Sequence, residues 1–296
     1  MDASGSPKPG TGRAQYVSSR KAARRVTATS SRQATRRGHA RHATISDSRR
    51  SRAPRPEPTW PFFMLETLGW HGQMATPPKP KAAPSTLVLL VRHGTTPSTG
   101  QLLPGRAPGL HLSDAGRQQA VRLGERLAAW APADGVRPRI AAVYASPLER
   151  TRETAAPLAN ALGVRVRVER GLIECDFGEW TGGALKKLMK LPDWANVQRY
   201  PSGFRFPGGE SFVGMQARMV QALADLRARH PGETIVAVSH ADPIKAAVAE
   251  ALGTHLDLFQ RIVISPCSVT AISYGPFGPM VLAVNSTGSL SELAPS

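Results

Sequence analysis

Apolar residues in this chain gather into short runs separated by amphipathic stretches. Leu87 to Val91 is an unbroken apolar run bounded by Pro84-Ser85 before it and Gly94 after it. Ile140 to Ala145 and Thr234 to Val238 repeat the design, and Val164 to Val168 alternates valine with arginine. Runs this short, closed by turn residues, predict strands, and the unbroken ones predict strands covered on both faces, as in a parallel sheet. Between them the apolar positions recur at helical spacing. Ser113 is the N-cap of a predicted helix to about Trp130, with Val121, Leu123 and Leu127 on its apolar stripe. Ser211 to Arg229 predicts a second helix, and Leu185 to Val197 a shorter one. Pro147 and Pro243 sit where a proline can open a helix. Ser268 to Tyr274 and Met280 to Asn285 predict two more strands, joined as a hairpin through Gly275-Pro276-Phe277-Gly278-Pro279. Strands alternating with helices predict an α/β fold, a three-layer α/β/α sandwich around a mostly parallel sheet. No internal repeat is visible.

The chemistry collects where the predicted strands end, which is where such sheets carry their sites. Arg92-His93-Gly94 closes the first strand. Ser146-Pro147-Leu148-Glu149-Arg150 follows the second, with Arg152 two residues on. Two residues apart on a helix, Arg150 and Arg152 face different ways, and the residues alone leave both open as the cation at the rim. The loop Leu172 to Gly182 offers Glu174, Asp176 and Glu179 as carboxylates. Ser239-His240 closes the fourth strand. His111, His230 and His255 follow no predicted buried strand and read as surface or structural.

Taken in order, Arg92-His93-Gly94, Ser146 to Arg150, Leu172 to Gly182 and Ser239-His240 resemble the motifs of the histidine phosphatase superfamily, the phosphoglycerate mutase-like fold, from about Leu87 to the C-terminus. The resemblance implies that His93 is a nucleophile that takes a phosphoryl group. It also implies that Arg92, Arg150 and His240 hold the phosphoryl oxygens and that Glu174 donates the proton. A nitrogen nucleophile splits one difficult displacement into two, and fixed cations stabilise the charge that develops on phosphorus. Arg152 is then left as a helix-surface residue, beside Glu149 or Asp114.

Departures from the family pattern narrow the expectation. Where relatives often carry an asparagine after the first motif, this chain has Thr99, expected to replace that contact. Gly105 and Arg106 fall where family members present backbone amides to the phosphate, and Arg106 is expected to add a cation. Ala241 and Asp242 stand where small residues usually follow the second histidine; Ala241 is expected at the phosphate, and Asp242 is read as a charge favoured by the helix dipole. Phe177 and Leu185 fall nearest the places of a tyrosine and a carboxylate-gripping lysine in mutase members. Pro207-Gly208-Gly209-Glu210-Ser211 resembles the substrate-loop segment of the phosphatase branch. The expectation is therefore a phosphomonoester hydrolase for a small phosphorylated metabolite, with a phosphoglycerate mutase-type phosphomutase as the alternative. Neither cofactor nor metal is expected, and the sequence is silent on oligomeric state.

Charge separates the chain into two parts. Of its 38 Lys and Arg, 16 lie before Thr86, against 4 of the 21 acidic residues. Residues 1 to 83, rich in Arg, Ser, Ala and Pro, lack apolar periodicity and are expected to be a disordered leader ahead of a catalytic domain at 84 to 296. Such a leader has the composition of an organellar transit peptide, but it also reads as translated upstream sequence, with Met64 or Met74 as the true start. Trp60 to Leu65 is its one apolar patch. The remaining excess of basic residues suits an anionic substrate and is too small to argue for nucleic acid; a nucleic-acid-binding protein would rest on the tail alone. No run approaches the roughly 18 residues of a membrane span, so a cytoplasmic protein is expected, organellar if the leader is real. Cys175 and Cys267 have no metal-site spacing.

Overall fold

The computed structural model describes residues 84–130 and 139–290. The expectations for the leader, its Trp60 to Leu65 patch included, lie outside the described residues.

The elements run β1 (Thr86–Arg92), β2 (Leu102–Leu103), α1 (Asp114–Trp130), β3 (Ile140–Ala145), α2 (Glu149–Leu162) and β4 (Val166–Val168). They continue with β5 (Gly183–Ala184), α3 (Leu185–Leu188), α4 (Trp194–Arg199), α5 (Phe212–Arg229), β6 (Thr234–Ser239), α6 (Ala241–Ala251), β7 (Val269–Gly275) and β8 (Gly278–Ser286). The main sheet has the order β4-β3-β6-β1-β7-β8. Its first four strands are parallel, and β7 and β8 add an antiparallel hairpin at one edge. The mostly parallel sheet expected from the sequence is present.

Strand periodicity sorts β1 between two cores. Leu87, Leu89 and Val91 pack with Leu123, Leu127 and Leu158 of α1 and α2 on one face. Val88 and Leu90 pack with Met219, Leu223 and Val248 of α5 and α6 on the other. Both faces being covered is what made β1 read as an unbroken apolar run. Leu89 is fully buried, and its truncation to alanine is worth about 2–5 kcal/mol. A third core of Phe177, Trp180, Phe204, Phe206, Phe212 and Phe259 roofs the carboxyl end of the sheet.

Three local expectations are corrected. Val121 is half exposed, off the buried stripe that Leu123 and Leu127 share with Ala120 and Trp130. The helix expected over Leu185 to Val197 is two short helices, α3 and α4, with Pro192 between them; proline cannot donate the helical hydrogen bond and restricts the residue before it. Strand β4 begins at Val166 rather than Val164. Ser113 and Ser211 do cap α1 and α5, their Oγ atoms accepting from the amides of Gly116 and Gly214. No helix among the described residues is long and apolar enough to cross a membrane.

Candidate active site

The two motif histidines are brought together by strand register. Arg92 pairs with Ser239 across β1 and β6, so the next residues, His93 and His240, leave adjacent strands side by side. Their rings are 5.2 Å apart between centroids. Gly94 lets α1 approach closely here, because a Cβ at Gly94 would lie 2.7 Å from the carbonyl oxygen of Gly116 in α1. The Gly94 amide then donates to Thr154 Oγ1 of α2.

His93 Nδ1–H donates to the carbonyl of Gly94 at 2.8 Å, which leaves the lone pair on Nε2. Burial, seconded by the Arg150 charge, lowers its pKa from 6.5 to about 3, against the smaller raising effect of the Gly94 bond. The imidazole is therefore neutral and nucleophilic across the physiological range. His240, fully buried, is also pulled well below its ordinary value by burial and by Arg150. Its Nδ1 stands 3.8 Å from Glu174 Oε2, a contact that is not an ion pair while the ring is neutral.

Cations lie around these rings with unused donors. Arg150 is fully buried at the start of α2 and gives one Nη2–H to the carbonyl of Gly105. Arg92 gives one Nη1–H to the carbonyl of Ile264. Arg150 Nε and Nη1, Arg92 Nε and His240 Nδ1 are buried and find no hydrogen-bond partner. Buried donors without partners are costly, and four of them around one imidazole form a seat for an anion of high charge density. Arg152, by contrast, is exposed, and Asp114 pairs with Arg117 instead.

Glu174 belongs to the loop after β4. Burial first and the charge of Asp242 second raise its pKa from 4.5 to about 7, against Arg150, the Cys175 amide and Arg92, which lower it. Its Oε1 accepts from the Cys175 amide at 3.0 Å. A carboxyl poised near neutrality can give up a proton and take one back. Its backbone is gripped from behind: Arg106 Nε donates to the Glu174 carbonyl at 2.8 Å, and Arg218 Nη1 donates to the carbonyls of Gly171 and Ile173 at 2.7 and 2.9 Å. Glu210 joins the two arginines, accepting from Arg106 at 2.9 Å and from Arg218 at 3.0 Å. The segment 207–209 packs backbone against the acid loop; a Cβ at Gly178, whose φ is +50°, would lie 2.1 Å from the Pro207 carbonyl oxygen.

A cavity of about 430 Å³ opens over His93, and Arg92, Thr99, Glu174, Phe177, Leu185 and Ala241 are among its walls. The structure thus gathers His93, Arg92, Glu174, Thr99 and Ala241 at one surface, with Arg150 and His240 buried beneath it. Thr99 Oγ1 also accepts from the Thr96 amide, pinning its own loop. Gly105 lies beside Arg150, whose Nη2–H its carbonyl accepts, and Arg106 is engaged with Glu210, Asp176 and the Glu174 carbonyl. Arg106 braces the acid loop and does not reach the cavity. Asp176, the rival of Glu174, faces Arg106 and the Gly178 amide. Asp242 does lie in the first turn of α6, yet its carboxylate also lines the cavity. Sequence reasoning missed Lys245, Gln260 and Arg218; the i, i+3 spacing of Asp242 and Lys245 on a helix that begins at the site was the available signal.

The family model of the histidine phosphatase superfamily (branch 1) matches residues 88–287. Phosphoserine phosphatase 1 of Hydrogenobacter thermophilus is 32% identical over 210 residues, covering 69% of this chain and 94% of that protein. A probable phosphoglycerate mutase of Klebsiella pneumoniae is 29% identical over 211 residues, covering 70% and 94%. Among solved structures, a mycobacterial glucosyl-3-phosphoglycerate phosphatase in complex with VO3 superposes with a TM-score of 0.60 at 26% identity, covering 68% of this chain and 99% of that one.

Proposed function

The chain belongs to the histidine phosphatase superfamily, branch 1, and from that premise we propose that it hydrolyses a small phosphomonoester with His93 as nucleophile and Glu174 as general acid and base. The observation that carries the reading is the neutral His93, its Nε2 lone pair free, among the partnerless donors of Arg92, Arg150 and His240. Nε2 attacks phosphorus, the bond to the ester oxygen breaks, and the departing alkoxide takes the Glu174 proton. The guanidiniums and the His240 Nδ1–H stabilise the equatorial oxygens throughout. Glu174, now a carboxylate, removes a proton from water as that water attacks phosphohistidine. Inorganic phosphate leaves, and His93 and Glu174 return to their starting states.

The cavity volume and the phosphoserine phosphatase relative support a compact alcohol as the leaving group. The mutase alternative draws on the Klebsiella pneumoniae relative, but Phe177 and Leu185 stand in this cavity at the places where the resemblance to mutases called for a tyrosine and a carboxylate-gripping lysine. The test is rapid quenching with labelled substrate in the presence of EDTA: acid-labile, base-stable phosphate should appear on the wild type and not on His93→Ala. Substantial turnover by His93→Ala would overturn the assignment. We further propose that residues 84 to 296 carry the whole activity.

A further inference from the structure

Three polar groups in the cavity wall take no direct part in the proposed phosphoryl transfer, although the charge of one, Asp242, helps raise the pKa of Glu174. Asp242 follows Ala241 directly at the start of α6, and Lys245 comes three residues later on the same face, its Nζ 3.2 Å from Asp242 Oδ1. Gln260, from the turn after α6, places Oε1 3.1 Å from the same Nζ. All three line the cavity that holds Arg92, His93 and Glu174, and Leu103, Phe177, Leu185 and Ile262 are among its apolar walls. The Asp242 and Lys245 side chains are only 19% and 17% exposed.

The charges constrain what this end of the cavity accepts. Arg92 and Arg150 already match a dianionic phosphate, so the far end is left with one cation and one anion that balance each other. A lone carboxylate entering there would meet Asp242, and a lone ammonium would meet Lys245; like charges brought together in a partly desolvated site are unfavourable. A group carrying both charges meets neither penalty, because its ammonium turns to Asp242 and its carboxylate to Lys245 and the Gln260 amide. The scale agrees: three residues of helix advance about 4.5 Å, which an amino and a carboxyl group on one carbon can bridge.

Resting on the phosphatase reading above, we infer that Asp242, Lys245 and Gln260 form the subsite for the non-reacting end of the substrate, and that the class they select is the O-phosphorylated α-amino acid. The test compares kcat/KM of the full chain for O-phospho-L-serine, 3-phosphoglycerate, which has hydroxyl in place of ammonium, and O-phosphoethanolamine, which lacks the carboxylate. All three are primary alkyl phosphates, so any change in the acid Glu174 cancels in their ratios. The wild type should prefer phosphoserine over each of the others by roughly tenfold or more, the size of one charge-assisted hydrogen bond. Asp242→Asn should shrink the preference over 3-phosphoglycerate, and Lys245→Met the preference over phosphoethanolamine. A purely structural Asp242–Lys245 pair would move neither ratio. Hydrolysis of p-nitrophenyl phosphate without these preferences, or with preferences the variants leave intact, overturns the subsite alone. Absence of phosphate release from every substrate, p-nitrophenyl phosphate included, overturns the phosphatase reading itself.

Discussion

Ser146 Oγ lies 2.8 Å from Nε2 of His240, and this contact leaves Nδ1 as the ring nitrogen that faces Glu174. Ser146 Oγ accepts from the Leu148 amide, while the one Thr151 hydrogen goes to the nearer carbonyls of Leu148 and Ser146, so the Ser146 hydroxyl is free to give its hydrogen to Nε2. A neutral ring that accepts at Nε2 carries its proton on Nδ1, which is the atom turned toward Glu174. The site is thereby supplied with a donor rather than a second lone pair.

Ser146→Ala removes that lock. The variant should lose about 1–3 kcal/mol of stability from the orphaned Nε2 and roughly tenfold in kcat/KM. The distinguishing readout is the ¹⁵N shift pattern of His240, which should move toward a mixture of tautomers. An unchanged pattern together with unchanged activity would defeat the assignment.

Under the proposed mechanism Arg218 braces the loop of the acid Glu174 from behind. It holds the carbonyls of Gly171 and Ile173 and binds Glu210, a set that a single lysine ammonium cannot satisfy. Arg218→Lys should let the Glu174 loop relax, so kcat falls further for an alkyl phosphate than for p-nitrophenyl phosphate, whose leaving group needs little protonation. Equal losses on both substrates would mean that Arg218 only stabilises the fold.

What the sequence made legible was whatever depends on near neighbours along the chain. The buried strands β1, β3 and β6 announce themselves because residues covered on both faces must be apolar, and His93 and His240 follow from being the residues just past two of them. Ser113 and Ser211 read as caps because a cap bonds only three residues ahead. The partners of Arg106 were not legible, because they are the side chain of Glu210, 104 residues on, and the carbonyl of Glu174, 68 residues on. Nothing local distinguishes a guanidinium bound to protein from one waiting for phosphate. Lys245 was overlooked for the complementary reason: a lysine on a helix is ordinarily solvated, and only the arrangement of α6 against Phe177, Leu185 and Gln260 turns it inward.

The raised pKa of Glu174, the proposed acid, also bears on stability. A carboxyl whose pKa is 4.5 when unfolded and about 7 in the native protein binds more protons folded than unfolded between those values, so its contribution falls as pH rises from 4.5 to 7. Glu174→Gln removes that loss. The variant should unfold at a higher temperature than the wild type above pH 7, by an amount corresponding to about 3 kcal/mol, with the difference disappearing below about pH 4.5. Thermal unfolding across pH 4 to 8 checks this; a difference that persists unchanged at low pH would show that Glu174 is not the titrating group. His93, with its lowered pKa, works in the opposite sense: its contribution grows as pH rises from about 3 to 6.5.

Removal of residues 1 to 83 should leave kcat/KM and cooperative unfolding unchanged, since the family match starts at residue 88 and every proposed site residue follows it. Activity assays and calorimetry on a chain beginning at Pro84 check this. Loss of cooperative unfolding would instead assign the Trp60 to Leu65 patch to the domain.

The decision between hydrolysis and mutase chemistry turns on what happens to phospho-His93 once the alcohol has formed. A mutase must keep that alcohol and exclude water while it reorients, which requires firm contacts at both of its ends. Here Asp242, Lys245 and Gln260 are proposed to suit an ammonium and a carboxylate together rather than a phosphoglycerate, and Phe177 and Leu185 add no polar contact, so water should intercept the phosphoenzyme and phosphate release should outrun any interconversion of 3-phosphoglycerate and 2-phosphoglycerate. The acid then shows itself through the leaving group. For alkyl phosphates the first step should weaken as pH rises above about 7, where Glu174 loses its proton, and Glu174→Gln should cost about 10²–10⁴-fold, the usual worth of a general acid. For p-nitrophenyl phosphate, phosphoenzyme formation should be far less sensitive to either change, which a burst of p-nitrophenol would reveal. If the two phosphoglycerates interconvert much faster than phosphate appears, the enzyme is a mutase and Phe177 and Leu185 do not govern the fate of the intermediate.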